Sequence, residues 1–304
     1  MLLIMRPRFT WKLATREVAL GERTLVMGVL NVTPDSFSDA GKFLNRDHAV
    51  GHALQMLDEG ADLIDVGGES TRPGARVSPG AAGGAGVSQE EELRRVLPVI
   101  RDIRRERPGT LISVDTYKSE VARQAVAAGA EIVNDVSAFR WDPAMPQTVA
   151  TLGCGAILMH MRGRPEEWRT LPPVDDLMGL VTRELAEWSM VAMGSGVERG
   201  RIVLDPGFGF GKNYDENYSL LARLGEMARL NFPILTGISR KSFLGRTLAR
   251  AGKDLPAEER LHGTLAAVTA CVLAGAHIVR VHDVRPAVEA VRIADAVLRA
   301  AEKS

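Results

Sequence analysis

The chain has 304 residues, of which 45% are hydrophobic and 25% are charged, and these values are ordinary for a globular protein. Lysine plus arginine equals aspartate plus glutamate at 38 each, so no net field attracts nucleic acid or an anionic membrane. The uncharged runs of the chain, such as residues 263–279, are shorter than the roughly 20 residues of a membrane span. We therefore expect a cytoplasmic protein with no nucleic-acid or membrane partner.

The chain begins with extended structure and continues with alternating strands and helices. Residues 9–24 predict a β-hairpin that precedes the main fold. Eight short apolar segments predict strands buried on both faces, at residues 24–30, 61–66, 111–114, 131–133, 155–158, 201–204, 233–238 and 277–281. Eight longer segments predict helices, at residues 48–59, 88–107, 118–128, 144–152, 177–195, 218–230, 261–273 and 284–301. Ser88 and Glu91 have the spacing of a capping box, which marks the start of the second helix.

Eight strand–helix units in about 280 residues are typical of a (β/α)₈ TIM barrel. We expect a single domain over residues 1–304, with the hairpin at its amino-terminal end. The alternative is an open, doubly wound parallel sheet. No Gly-x-Gly-x-x-Gly sequence follows the first strand, so the usual nucleotide site of that fold is missing.

Polar side chains stand where the predicted strands end, and in a barrel all these ends meet at the face that carries the active site. They are Asn31, Asp65, Thr71, Arg72, Asp115, Asn134, Asp205, Lys241, Arg280 and His282. Singly, each has a structural explanation. Asp115 could cap a helix, Asp65 could pair with an internal cation, and Asn134 could belong to a turn. Together on one rim, they predict a ligand site.

One part of this rim suits a flat, nitrogen-rich heterocycle. Asp115, Asn134, Asp205 and Lys241 offer fixed donors and acceptors. A carboxylate can accept two parallel N–H donors from an amidine-like edge, as it does from guanidinium.

The other part suits pyrophosphate. We interpret Arg72, Arg280 and His282 as cations for a phosphate-containing ligand. Asn31 offers a neutral oxygen compatible with a Mg²⁺ ion that phosphates already hold.

Five motifs in order carry a resemblance to a known family, at residues 28–37, 68–74, 205–212, 239–242 and 280–284. With them the chain resembles the dihydropteroate synthases from about residue 25 to residue 296. That family joins p-aminobenzoate to 6-hydroxymethyl-7,8-dihydropterin pyrophosphate and releases pyrophosphate in folate biosynthesis. The resemblance implies a barrel, Mg²⁺ as cofactor, a homodimer and inhibition by sulfonamides.

The resemblance also implies a role for each motif residue. The pterin would be bound by Asp115, Asn134, Asp205 and Lys241, with Asp65 beneath it and Met159 packed on its ring. Mg²⁺-pyrophosphate would be held by Asn31, Arg280 and His282. The p-aminobenzoate pocket would be formed by Phe37, Thr71, Arg72, Pro73, Phe210 and Ser242. The catalytic residues would be Lys241, Arg280 and Asp205.

The reaction that fits these groups is an ionisation-first substitution. Cations stabilise the leaving pyrophosphate, and carboxylates favour a positive pterin. The alternatives are a pterin-binding methyltransferase barrel that uses methyltetrahydrofolate and a non-catalytic pterin-binding barrel. The sequence departs from the family pattern in one place, where residues 78–86 lengthen a Gly- and Ala-rich loop.

Overall fold

The computed structural model describes residues 6–33, 42–70 and 86–302, with the backbone alone for residues 42–45. Its strands are β1 Phe9–Lys12, β2 Glu17–Leu20, β3 Leu25–Asn31, β4 Leu63–Gly67, β5 Leu111–Asp115, β6 Ile132–Asp135, β7 Gly155–Met159, β8 Ile202–Asp205, β9 Leu235–Thr236 and β10 Ile278–Val281. Its helices are α1 Lys42–Asp58, α2 Gln89–Glu106, α3 Ser119–Ala127, α4 Met145–Leu152, α5 Leu177–Gly194, α6 Tyr214–Ala222, α7 Ser242–Thr247, α8 Leu261–Leu273 and α9 Val284–Ala301. No described helix is long and apolar enough to cross a membrane.

The eight strands from β3 to β10 form one parallel sheet in the order β8-β7-β6-β5-β4-β3-β10-β9. A parallel bridge between Leu204 and Ile234 joins the two outer strands, and the amide of Leu204 donates to the carbonyl of Pro233 at 3.0 Å. The predicted (β/α)₈ barrel is therefore confirmed, and the carboxyl ends of its strands share one face.

The predicted hairpin is confirmed as β1 and β2, which pair antiparallel. Trp11 is fully buried, and its indole N–H donates to the carbonyl of Arg201 at 2.8 Å. It packs with Leu13 and Leu20 against residues from the beginnings of the barrel strands, such as Met27 and Ile132. The hairpin thus closes the amino-terminal end of the barrel, and the opposite end is left for ligands.

Four elements differ from the predictions. Helix α1 begins at Lys42 rather than at residue 48, and the short helix α7 has no counterpart among the predicted helices. The helix predicted at 218–230 begins earlier, because Asn213 donates its backbone N–H to Glu216 at 2.6 Å and so starts α6. After Ala222 the chain continues as a 3₁₀ helix, Leu224–Leu230. The strand predicted at 233–238 is only Leu235–Thr236, since Pro233 has no N–H to donate and the chain then turns into the site.

Candidate active site

A cavity of about 350 Å³ opens at the carboxyl ends of the strands. Seven of the residues predicted from the sequence line it: Asn31, Asp115, Phe210, Lys241, Ser242, Arg280 and His282. They come from five different strand ends, those of β3, β5, β8, β9 and β10. The barrel thus brings together groups that lie up to about 250 residues apart in the sequence.

Arg280 is the centre of a partly buried polar network. Its Nε donates to Oδ2 of Asp65 at 2.6 Å, and its Nη2 donates to Oδ2 of Asp115 at 2.8 Å. Asn134 donates through Nδ2 to the same Asp65 oxygen at 3.0 Å. Asp65 is completely buried, and its Oδ1 has no hydrogen-bond partner within the described part of the chain. An unpaired buried acceptor of this kind is costly and is suited to an N–H donor of a ligand.

Burial raises the pKa of Asp115 to about 7, although Arg280 acts to lower it. The neighbouring carboxylate of Asp65 raises it further. The pKa of Arg280 is itself raised above its ordinary value, because the attraction of Asp65 and Asp115 outweighs the effect of burial. The guanidinium is therefore permanently charged and holds two carboxylates on one side of the cavity.

Asp205 and Lys241 form a second pair of charged groups. Oδ1 of Asp205 accepts from the backbone N–H of Gly207 at 2.7 Å, and burial raises the pKa of Asp205 to about 6. Burial and the charge of Arg280 lower the pKa of Lys241 to about 7. The Lys241 ammonium lies 3.9 Å from the centre of the Phe210 ring, a distance typical of a cation–π contact.

His282 differs from its predicted role as a cation. Burial and the charges of Arg280, Arg240 and Lys241 lower its pKa to about 3, so the imidazole is neutral near pH 7. Its Nδ1 lies 3.1 Å from Oγ of Ser239, and that oxygen also accepts from the backbone N–H of His282 at 3.2 Å.

Two ion-pair systems beside the cavity, one half-buried and one buried, were missed by sequence reasoning. Arg240 adopts a left-handed backbone (φ 57°) between Ser239 and Lys241. Its guanidinium donates to both oxygens of Asp283 at 2.9 and 2.6 Å, so it joins the turns after β9 and β10. In the sequence, Arg240 stands directly beside Lys241 and Asp283 directly beside His282. This position next to predicted site residues is the signal by which the pair could have been found.

The second system surrounds Lys118, which is buried. Its ammonium donates to Oε2 of Glu69 at 2.6 Å and also contacts Glu92. Glu69 lines the cavity and accepts from the backbone N–H of Val87 at 3.1 Å. No periodic pattern in the sequence indicates such a cluster.

Five predicted site residues remain, namely Met159 and four members of the predicted p-aminobenzoate pocket. Met159 packs in a hydrophobic cluster with Tyr117, Val136 and Met161, at the end of β7. Phe37, Thr71, Arg72 and Pro73 lie outside the described residues. Cys154 and Cys271 are buried free thiols.

The available ligand atoms determine which metal ion the site could hold. No group of three or more His, Cys, Asp or Glu side chains that could hold a metal ion occurs among residues 6–33, 46–70 and 86–302. Asn31 ends β3 and lines the cavity beside Arg280 and His282. One amide oxygen fits an ion that takes most of its ligands from phosphate and water, as Mg²⁺ does, and it does not fit an all-protein metal centre.

The family model, the similar proteins and the similar structures all identify the same family. The family model described as "Pterin binding enzyme" matches residues 27–282. A dihydropteroate synthase from Escherichia coli strain K12 is 46% identical over 277 residues, which are 91% of this chain and 93% of that protein. The structure of the Xanthomonas albilineans dihydropteroate synthase with 4-aminobenzoic acid matches with a TM-score of 0.83 and 43% identity, and covers 95% of this chain and 98% of that one. The structure of the Yersinia pestis dihydropteroate synthase in a sulfonamide drug complex matches with a TM-score of 0.85 and 40% identity, and covers 96% and 100%.

Proposed function

The chain belongs to the dihydropteroate synthase family of pterin-binding enzymes, and on that premise we propose how its residues bind and activate the two substrates. Members of this family are transferases of folate synthesis, and they join p-aminobenzoate to the methylene carbon of a dihydropterin pyrophosphate. The observation that carries the assignment of roles is the contact of Arg280, which lines the cavity, with both Asp65 and Asp115. This contact places a fixed cation beside two carboxylates. The substitution requires both, because a cation stabilises the leaving pyrophosphate and carboxylates stabilise the positive pterin.

The pterin is bound by the buried carboxylates. Asp205 accepts from the amino and ring N–H edge, and Asp115 and Asn134 contact the opposite part of the ring system. Oδ2 of Asp205 lies close to Gly237, which lines the cavity. Oδ1 of Asp65, which lacks a partner among the described residues, accepts a further N–H from beneath. Met159 packs on the ring.

Pyrophosphate is bound by the cationic part of the rim. Arg280 supplies charge, and Lys241, which also contacts the pterin, supplies a second charge. His282 supplies a hydrogen bond rather than a charge. If the hydroxyl of Ser239 donates to Nδ1 of His282, the ring proton is on Nε2 and can be donated to a phosphate oxygen. Mg²⁺ would be held by Asn31 together with phosphate oxygens, where it would neutralise charge on the leaving group.

The p-aminobenzoate pocket is formed by Phe210 and Ser242, which line the cavity, together with Phe37, Thr71, Arg72 and Pro73. A sulfonamide drug, as a mimic of p-aminobenzoate, would occupy the same pocket. Lys241 connects the two substrate positions because it lies over the Phe210 ring.

The chemical step is a substitution that begins with ionisation. The bond between the pterin methylene and the pyrophosphate oxygen breaks, and its electron pair leaves with pyrophosphate. Arg280 and Lys241 stabilise that negative charge, while ionised Asp115 and Asp205 stabilise the positive pterin. The aniline nitrogen then forms the new bond and loses a proton. The amino group of free p-aminobenzoate is neutral near pH 7, so it can attack without prior deprotonation by a strong general base.

The chain forms a single domain that acts as a homodimer in the cytoplasm. Ile293 and Val297 lie one turn apart on α9, with 69% and 44% of their surface exposed, and they suit an apolar interface between two copies. Light scattering of the purified protein would test the dimer.

The function is tested by incubating the purified chain with dihydropterin pyrophosphate, p-aminobenzoate and Mg²⁺. We expect equal amounts of pyrophosphate and dihydropteroate, with little pyrophosphate when p-aminobenzoate is omitted. A methyltransferase barrel would instead bind methyltetrahydrofolate, and a non-catalytic barrel would bind the pterin without releasing pyrophosphate. Either result would contradict the assignment.

A further inference from the structure

Lys212 ends the glycine-rich turn after β8, and three backbone carbonyls enclose its ammonium group. Nζ donates to the carbonyl of Gly207 at 2.8 Å and to those of His160 and Phe210 at 3.2 Å each. The side chain is buried. Burial lowers the pKa of Lys212 to about 7, but three carbonyl acceptors are satisfied together only by the three donors of the ammonium form. The geometry therefore favours the charged lysine.

The turn that Lys212 holds is packed against the end of β7. Gly207 has a left-handed backbone (φ 67°), and a Cβ there would lie 1.9 Å from the carbonyl oxygen of His160. Only glycine permits this approach. Because Lys212 binds the same His160 carbonyl, it fixes the turn to the end of β7.

This turn carries part of the ligand cavity. Phe210 lines the cavity, and its ring is the surface over which Lys241 lies. Gly209 is held from the other side by Asn217, whose Oδ1 accepts its backbone N–H at 2.7 Å. A displacement of the turn would therefore move Phe210 and remove the support of Lys241.

Lys212 also affects the charge of the pterin carboxylate. Burial raises the pKa of Asp205 to about 6, and the charges of Lys241, Lys212 and Arg280 oppose that rise. Lys212 is the member of this set that does not line the cavity, so a bound ligand does not compete for it. The other charged groups that act on Lys212, besides Asp205 and Lys241, are Arg162 and Glu216.

We propose that Lys212 is a positioning residue of the transferase site, which holds the β8 turn through three carbonyls and keeps Asp205 ionised without contacting either substrate. This inference rests on the proposed function, because it assigns Lys212 to the same pterin and p-aminobenzoate positions. The two effects are separable. A neutral side chain removes both, whereas a guanidinium keeps the charge but has its donors in one plane, which does not reproduce the three-donor arrangement of the ammonium.

The test compares Lys212→Met, Lys212→Arg and the surface control Lys12→Met. Lys12 pairs with Glu198 on the exposed face of the hairpin, so its replacement changes the net charge by the same amount far from the cavity. For each variant, thermal unfolding would be recorded, together with the pH profile of kcat/KM for the pterin substrate and the KM for p-aminobenzoate. Wild-type enzyme that releases no pyrophosphate would refute the proposed function itself, independently of Lys212.

We expect Lys212→Met to lower kcat/KM by about 10- to 100-fold, the size of effect that a displaced catalytic group produces. The acid limb of its pH profile should move to higher pH, because Asp205 loses a neighbouring cation. Lys212→Arg should raise the KM for p-aminobenzoate but leave the acid limb in place, and Lys12→Met should match the wild type. An unchanged acid limb in folded Lys212→Met would overturn the electrostatic role. If Lys212→Met does not fold, a wild-type KM in Lys212→Arg would overturn the positioning role.

Discussion

Nη2 of Arg280, on β10, donates to Oδ2 of Asp115, at the end of β5, at 2.8 Å. The sequence assigned these residues to different ligands, Arg280 to pyrophosphate and Asp115 to the pterin. Their contact means that the two halves of the site share one charge network. Removing Arg280 would leave the buried Asp65 and the partly buried Asp115 without their shared cation, and an uncompensated buried charge is strongly destabilising. The pterin and pyrophosphate positions should therefore respond together to changes at Arg280.

The pterin affinity should fall as the pH falls. The pKa values of Asp115 and Asp205 are raised to about 7 and about 6, so both carboxylates are ionised above pH 7 and are progressively protonated below it. Hydrogen bonds from pterin N–H groups favour the ionised form. Calorimetric titration of a phosphate-free pterin at pH 8, 7, 6 and 5 would measure the loss. An affinity that rises on acidification would contradict the assignment of these carboxylates.

Asp205→Asn should weaken pterin binding more than pyrophosphate binding. An amide can present a donor where the pterin edge needs an acceptor, and the lost charge-assisted bond should cost roughly 1.5–3 kcal/mol. Calorimetry with a phosphate-free pterin and with pyrophosphate separately would measure both. A matched control is Asp176→Asn, since Asp176 is an exposed helix cap of α5. Unchanged pterin affinity in Asp205→Asn would remove this residue from the site.

Pyrophosphate binding should be accompanied by proton uptake on Lys241. Burial and the charge of Arg280 lower the pKa of this lysine to about 7, so it is partly neutral at pH 7.5. A bound anion favours the charged form and raises the pKa. Titration calorimetry in buffers of different ionisation enthalpy would count the protons. Lys241→Met should reduce the uptake, and an uptake equal to that of the wild type would exclude Lys241 as its source.

Trp11→Ala should destabilise the protein without changing the KM of either substrate. Trp11 is fully buried in the hairpin that closes the amino-terminal end of the barrel, and truncation of such a residue costs about 3–5 kcal/mol. Urea unfolding would measure the free energy, and Met190→Ala, at a position that is 58% exposed, is the control. A large rise in KM would show that the hairpin also shapes the opposite end.

Elements with strong local signals were predicted most closely from the sequence. The helices α8 Leu261–Leu273 and α9 Val284–Ala301 have the predicted bounds. Ser88 caps α2 as expected, since Glu91 donates its backbone N–H to Oγ of Ser88 at 3.2 Å. The strand β9 was overestimated because an apolar segment does not reveal where its hydrogen-bond partners end.

The sequence predicted which residues form the site, but it did not predict which of them contact one another. The chain order indicates that Asp65, Asp115 and Arg280 meet at one rim, since parallel barrel strands require it. It does not indicate that one guanidinium bonds both carboxylates, because that depends on side-chain directions between strands far apart in the sequence. The neutral state of His282 was missed for the same reason: its pKa is set by burial and by cations from other strands.

The most direct test of the shared charge network is the affinity of Arg280→Lys for the two ligands measured separately, with the exposed Arg123→Lys on α3 as control. Lysine keeps the charge but cannot bond both Asp65 and Asp115 through a planar fork. We predict that phosphate-free pterin and pyrophosphate both bind at least about fivefold more weakly, within the usual range of coupling between sites. Weaker pyrophosphate binding with unchanged pterin affinity would contradict the account.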